Sequence, residues 1–163
     1  MRWIWIDSFV EFESGRRAVA VKNVSLAEEH LHDHFPGFPV HPPALVIEGM
    51  AQTAGILVGE ARQFAENVIL AKIRKASFTD YGYPGDQLRY EATVEGIDER
   101  AAMTRGIVSK NGQTIGEVDL IFSHVNQAET ALDLPDHNFV FTPQFMDLLA
   151  GFRSGAKGDG ALA

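Results

Sequence analysis

Apolar and polar positions along this chain fall into short alternating runs, interrupted by one longer apolar block. Residues 2–13 and 17–24 are rich in Trp, Ile, Val and Phe and flank Glu13-Ser14-Gly15-Arg16, which predicts two strands and a turn. The block from Ala44 to about Gln63 carries Leu45, Ile47, Met50, Ala51, Ala54, Leu57 and Val58, and only Glu48 and Gln52 interrupt its first turns. It predicts a largely buried helix opened by Pro42-Pro43, because proline's fixed φ and missing N–H suit a first helical turn. Gly49, Gly55 and Gly59 lower helix propensity there but let strands approach closely. Further strands are predicted near 67–78, 87–97, 101–109 and 113–123. Tyr83-Pro84-Gly85-Asp86 separates the first pair, and Asn111-Gly112 signals a hairpin because both residues tolerate positive φ. A hairpin, a helix and a meander make an α+β domain. Since a helix cannot bury itself, the expected architecture is a curved antiparallel sheet wrapped around the long central helix.

Residues 25–43 carry clustered His and Pro with little periodicity. They predict a long, shaped loop, and loops above about 12–15 residues in a compact domain usually carry function. From Gln127 onward the pattern is less regular. Thr142-Pro143 opens a short amphipathic helix with Phe145, Leu148 and Leu149, and the Gly-rich end from Ser154 is expected to fray. The chain of 163 residues thus divides into a domain over 1–126 and a C-terminal extension over 127–163.

Composition narrows the function classes. A formal charge of −8 disfavours nucleic acid and anionic membranes, which would repel the chain at long range. The absence of Cys excludes disulfides, a thiolate nucleophile and thiolate metal sites. The opening MRWIWIDSFVEF turns acidic too early for an export leader, and no uninterrupted apolar stretch approaches the roughly 20 residues that span a membrane. A cytoplasmic protein without stable membrane insertion is expected. One local basic cluster, Lys72, Arg74 and Lys75, reads either as a solvated strand face or as a docking site for an acidic carrier.

The polar residues that need explaining lie between 30 and 52. Glu48 sits in the apolar run LVIEGMA, where a carboxylate is costly unless paired, hydrogen-bonded or neutral. It is either a structural hydrogen-bonding group or a tuned acid. Four His fall at 30, 32, 34 and 41. His34, followed by Phe35-Pro36-Gly37, is either a surface loop residue or a proton carrier, since imidazole titrates near neutral pH. Alternation of His30, His32 and His34 on an extended segment also fits zinc, with weak specificity, against a solvated loop. No phosphate loop or GxSxG elbow is present.

The run Asp33-His34-Phe35-Pro36-Gly37-Phe38-Pro39-Val40-His41-Pro42-Pro43-Ala44-Leu45-Val46-Ile47-Glu48-Gly49-Met50-Ala51-Gln52 resembles the pattern GHFPxxPVMPGVLxxEAxAQ of the FabZ and FabA family of 3-hydroxyacyl-[acyl-carrier-protein] dehydratases. Lys72-Ile73-Arg74-Lys75 and Pro84-Gly85-Asp86 extend the likeness, and the order of elements agrees over about residues 5–125. The resemblance implies a hot dog fold, with His34 removing the C2 proton and Glu48 assisting departure of the 3-hydroxyl. It also implies that opposite subunits of a homodimer supply these groups around an acyl tunnel, and some family members assemble as a trimer of dimers. Acyl carrier protein is the expected partner, and no metal or cofactor is expected. Bulky residues such as Phe35, Phe38, Leu57 and Phe78 are expected at the tunnel. Gln52, one turn beyond Glu48, reads as a partner for its carboxylate or as a helix-packing amide.

Three positions depart from the pattern. Asp33 replaces the Gly before the histidine, His41 replaces an apolar residue, and Pro43 replaces the Gly whose amide holds the thioester oxygen. Proline has no N–H, while Ala44 retains an amide at the same helix terminus, so the oxyanion site is expected to be shifted, supplemented by His41, or impaired. A hot dog thioesterase and a noncatalytic acyl-binding subunit are the alternative readings.

Overall fold

A computed structural model describes residues 3–125 and 138–154. Six strands and three helices follow in the order β1 (Ser8–Glu13), β2 (Arg17–Asn23), α1 (His30–Asp33), α2 (Pro43–Ala61), β3 (Asn67–Phe78), β4 (Gln87–Ile97), β5 (Ala101–Lys110), β6 (Gln113–Val125) and α3 (Pro143–Ser154). The strands form one antiparallel sheet in the order β1-β2-β4-β5-β6-β3. The β5–β6 turn places Asn111 at φ 53° and Gly112 at φ 78°, the left-handed pair that a tight hairpin requires.

One face of the sheet carries the core by simple alternation. Leu88, Tyr90 and Ala92 of β4 and Val118, Leu120 and Phe122 of β6 are buried under α2. Glycines set how closely the helix lies on the sheet. A Cβ on Gly49 would come 2.7 Å from the Tyr90 ring, and one on Gly106 of β5 would come 2.5 Å from Met50 Sδ. By length and composition α2 would suffice to cross a membrane, yet 61% of that segment is buried inside the domain.

The sheet does not wrap the helix. It is open, neither closed nor strongly curled, and ends on β1 and β3 as free edges. The expectation of a curved sheet assumed that strands alone must cover α2. The remaining cover comes from elsewhere: Ile4 and Ile6 of the N-terminal segment, Leu31 of α1, and Phe141, Phe145 and Leu149 around α3 all join the same core. Because α3 touches β1 while Phe141 and Phe145 share a cavity with Val68 and Leu70 of β3, it spans the space between the two edges. The segment 25–43 also departs from a plain loop, since His30–Asp33 forms a helical turn. Leu148 of α3 is exposed, and the Gly-rich end expected to fray lies outside the described residues.

Candidate active site

Glu48 stands on the second turn of α2, half-buried, and its carboxylate accepts a hydrogen bond from Gln52 Nε2 at 2.9 Å. The i, i+4 spacing puts both side chains on one helix face. Gln52 is itself fixed by main chain. Its Nε2 also donates to Trp3 O at 2.6 Å, and its Oε1 accepts from Trp5 N at 2.8 Å. The amide therefore clamps the N-terminal segment to α2 and holds the Glu48 carboxylate in one orientation. Trp3 and Trp5 contribute backbone groups here, which any residue type possesses, so nothing in the sequence marked them.

Glu48 and Gln52 form the polar end of a cavity of about 160 Å³ whose other walls include Ala51, Gly55, Ile56, Val68, Phe122 and Phe145. His34 is not part of this lining, nor are Phe35, Phe38, Leu57 or Phe78. Leu57 is fully buried in the core, whereas Phe35 and Phe38 are more than half exposed. Phe78 lines a second cavity with Pro43, Thr79, Asp80, Tyr81 and Tyr83, at the N-terminal end of α2.

The His34 loop is tightly built. Phe35 and Phe38 exchange backbone hydrogen bonds of 2.9 and 2.8 Å, Val40 N donates to His34 O at 2.9 Å, and Gly37 turns the chain at φ 76°. The His34–Phe35 peptide is cis, and the two rings stack with centroids 4.3 Å apart. Among the described residues the His34 ring has no hydrogen-bond partner within its own chain, which leaves both ring nitrogens available.

At the start of α2, Leu45 N and Val46 N both donate to Pro42 O, at 2.9 and 3.1 Å, and Pro43 has no N–H. Ala44 N is the first-turn amide without a protein acceptor among the described residues. Orphan amides of this kind point along the helix axis and favour negative charge.

His41 is not at that position. It is fully buried, its N–H bridges to Gly82 O at 2.8 Å, and its Nδ1 faces His30 Nε2 at 3.3 Å beside the Trp5 ring. Burial, reinforced by the neighbouring His30, pushes its pKa down to about 4, and burial lowers His30 as well. Alternation of His30, His32 and His34 on an extended strand does not occur, because α1 turns the side chains apart. His32 instead meets Leu26 O at 3.0 Å. Glu28, His30 and His41 do bring potential ligand atoms within 4.8 Å of one another. There the Lys22 ammonium already contacts Glu28 Oε2 at 2.9 Å, and Ser25 N occupies Glu28 Oε1 at 2.8 Å, so a cation and its carboxylate partner fill that position.

Of the basic cluster on β3, Lys72 and Lys75 share the outer sheet face. An extra residue in the strand between Ile73 and Lys75 shifts the register, pairing Lys72 with Ile121 and Lys75 with Asp119. Lys75 is ion-paired with Glu117, and Arg74 reaches Met103 Sδ at 3.8 Å.

Comparison with known proteins identifies the family. The family model described as FabA-like domain matches residues 4–121. The 3-hydroxyacyl-[acyl-carrier-protein] dehydratase FabZ of Halalkalibacterium halodurans is 35% identical over 122 residues, 74% of this chain and 87% of that protein. The FabZ protein of Symbiobacterium thermophilum is 36% identical over 127 residues, 77% of this chain and 89% of the relative. Among solved structures, the dehydratase heterocomplex ApeI:P from Xenorhabdus doucetiae superposes with a TM-score of 0.64 at 19% identity, over 78% of this chain and 86% of that one, a likeness of fold. With the family motif running from His34 to Gln52 on a hot-dog-like sheet and helix, the chain belongs to the FabZ/FabA-like family of 3-hydroxyacyl-[acyl-carrier-protein] dehydratases.

Proposed function

We propose that the chain is a hydro-lyase that dehydrates 3-hydroxyacyl thioesters carried on acyl carrier protein, to trans-2-enoyl thioesters, in fatty acid or related lipid synthesis. The observation that carries this reading is the Glu48 carboxyl, oriented by Gln52 in the lining of a mostly apolar cavity, in a chain of this family. The tail of the substrate enters the cavity, which brings C3 beside Glu48. His34 removes the C2 proton, negative charge develops on the thioester oxygen, and Glu48 delivers a proton to the departing 3-hydroxyl. The free Ala44 amide is the donor suited to the developing oxyanion. His41 is held within the core and faces His30, so it acts through packing in this scheme.

The same geometry supports a homodimer. Since His34 does not line the cavity of its own chain, the second protomer is the source of the base, and the exposed Phe35 and Phe38 on its loop supply apolar contact surface. A trimer of dimers is compatible with this unit. Carrier docking is assigned to Lys72, Arg74 and Lys75, with Lys72 the strongest contributor because Lys75 already serves Glu117. The domain over 1–126 carries this chemistry. Burial of the long apolar α2 within it supports work in the cytoplasm.

Mixed dimers test the scheme. His34→Ala and Glu48→Ala homodimers are each expected to lose hydration of a trans-2-enoyl thioester, followed by its absorbance. Co-expression of the two variants restores one intact site in each mixed dimer, so the purified mixed dimer is expected to show about half the normal rate. Mixed dimers as inactive as the parents would place both groups in one chain and end this arrangement. Release of free thiol without hydration of the enoyl double bond would move the protein to thioester hydrolysis.

A further inference from the structure

The cavity beside Glu48 is lined in part by residues that lie beyond the family match. Val140, Phe141 and Phe145 form part of its wall, whereas the matched region ends at residue 121. This wall is built into the core. Phe141 and Phe145 are 7% and 4% exposed, and the Phe141 ring meets Phe64 edge-on at 4.9 Å. Gly59 of α2 admits it, for a Cβ there would lie 2.6 Å from the Phe141 ring. Asn138 fastens the segment. Its Nδ2 donates to Phe64 O and Glu66 O at 3.1 and 3.0 Å, and its Oδ1 accepts from Val140 N and Phe141 N at 3.0 and 2.7 Å. Thr142 Oγ1 then caps α3 by accepting from Phe145 N at 3.3 Å.

We propose that this C-terminal segment is the acyl-chain stop: Phe141 and Phe145 set the longest tail the enzyme accepts and make it selective for short to medium 3-hydroxyacyl chains. The inference rests on the thioester reading above. Polarity fixes the direction in which a chain would enter, because Glu48 and Gln52 occupy one end and the remaining walls are apolar. Volume fixes the length. The cavity measures about 160 Å³, and an apolar cavity of about 150 Å³ holds one six-carbon ring, so about six tail carbons fit beyond the reacting end. Each methylene buried in it raises affinity by about fourfold until the wall is reached, and the next gains nothing without displacing a packed ring.

The test is a ladder of substrates from 3-hydroxybutyryl to 3-hydroxyhexadecanoyl thioesters, read by kcat/KM. Saturated acyl-pantetheines of the same lengths are read in parallel by calorimetry, which reports the cavity without chemistry. Both ladders are expected to climb and then break after about six tail carbons. Phe145→Ala moves the break to longer chains by about two to four carbons. Gly55→Leu moves it to shorter ones, because Gly55 lines the cavity and a Cβ there meets only the Phe122 ring, at 3.4 and 3.9 Å, so the rest of the side chain enters the cavity. If both variants fold and leave the calorimetric break where it was, or if the wild-type ladder has no break, the stop is not there. A calorimetric break that shifts with both variants while no thioester is dehydrated would uphold the stop and refute the dehydratase reading.

Discussion

In the proposed reaction, two residues at the start of α2 govern how much of the family's chemistry this chain keeps. Pro43 removes one amide from the helix end, while Ala44 leaves one free. A single oxyanion donor is worth about 100- to 1000-fold in rate when it is the main one, so a second donor added beside a working first gains less. Pro43→Gly is expected to raise kcat by about tenfold, measured in steady-state hydration of an enoyl thioester; an unchanged kcat would mean that Ala44 suffices alone. His41 allows a separate prediction. Its imidazole is neutral in the folded protein, with a pKa held down to about 4 by burial, with His30 and Lys22 reinforcing and Glu28 opposing, whereas the unfolded chain takes up that proton near the ordinary histidine value of about 6.5. Between these values the unfolded state binds more protons, so stability is full above about pH 6.5 and falls as the pH drops toward 4, by about 3 kcal/mol in all. Denaturation of His41→Met against wild type is expected to show a stability gap that shifts by this amount between neutral pH and about pH 4. Glu48 and Gln52 were legible as a pair because a helix repeats every 3.6 residues. The Trp3 and Trp5 backbone that orients Gln52 was not, because every residue carries those groups.

At the scale of elements, most boundaries follow from local chemistry. Asn111-Gly112 tolerates the positive φ of a tight hairpin, Pro42-Pro43 and Thr142-Pro143 fix φ at a helix start, and turns or helix starts appear at those positions. Residues 25–43 were less legible, since the single turn of α1 is too short for its periodicity to register. The glycines of α2 read alike in sequence but differ in contact. At Gly49 an added Cβ would collide with Tyr90 of β4, and at Gly55 it would sit 3.4 Å from Phe122, an ordinary contact. Gly49→Ala is therefore expected to destabilise by about 1–3 kcal/mol through overpacking. Gly55→Ala is expected to stabilise by about 0.5–1 kcal/mol through helix propensity. Chemical denaturation of both proteins checks the pair, and equal effects would contradict the close approach of α2 and β4.

For the whole molecule, the curved sheet expected from burial reasoning gave way to an open one because a distant segment supplies the missing cover. Which part of a chain returns to close a core depends on long-range packing, and periodicity within a window does not carry it. Phe141, Phe145 and Leu149 are all buried. A protein ending at Val125 is expected to lose about 5 kcal/mol from these side chains alone, a large share of an ordinary domain's stability. A melting curve of the truncated protein that matches the intact one would disprove that the extension is part of the core. The open sheet also bears on how the protein behaves when crowded with its own copies. Unpaired strands are templates for further strands, and a chain with two of them can in principle add neighbours into a fibre. Here both edges carry irregularities, after Phe9 on β1 and at two places on β3, and both carry charge, with Glu11 and Glu13 on one and Lys72, Arg74 and Lys75 on the other. Such kinks and charges spoil register for indiscriminate stacking, so an edge meets only a partner shaped for it, and growth stops at a closed assembly.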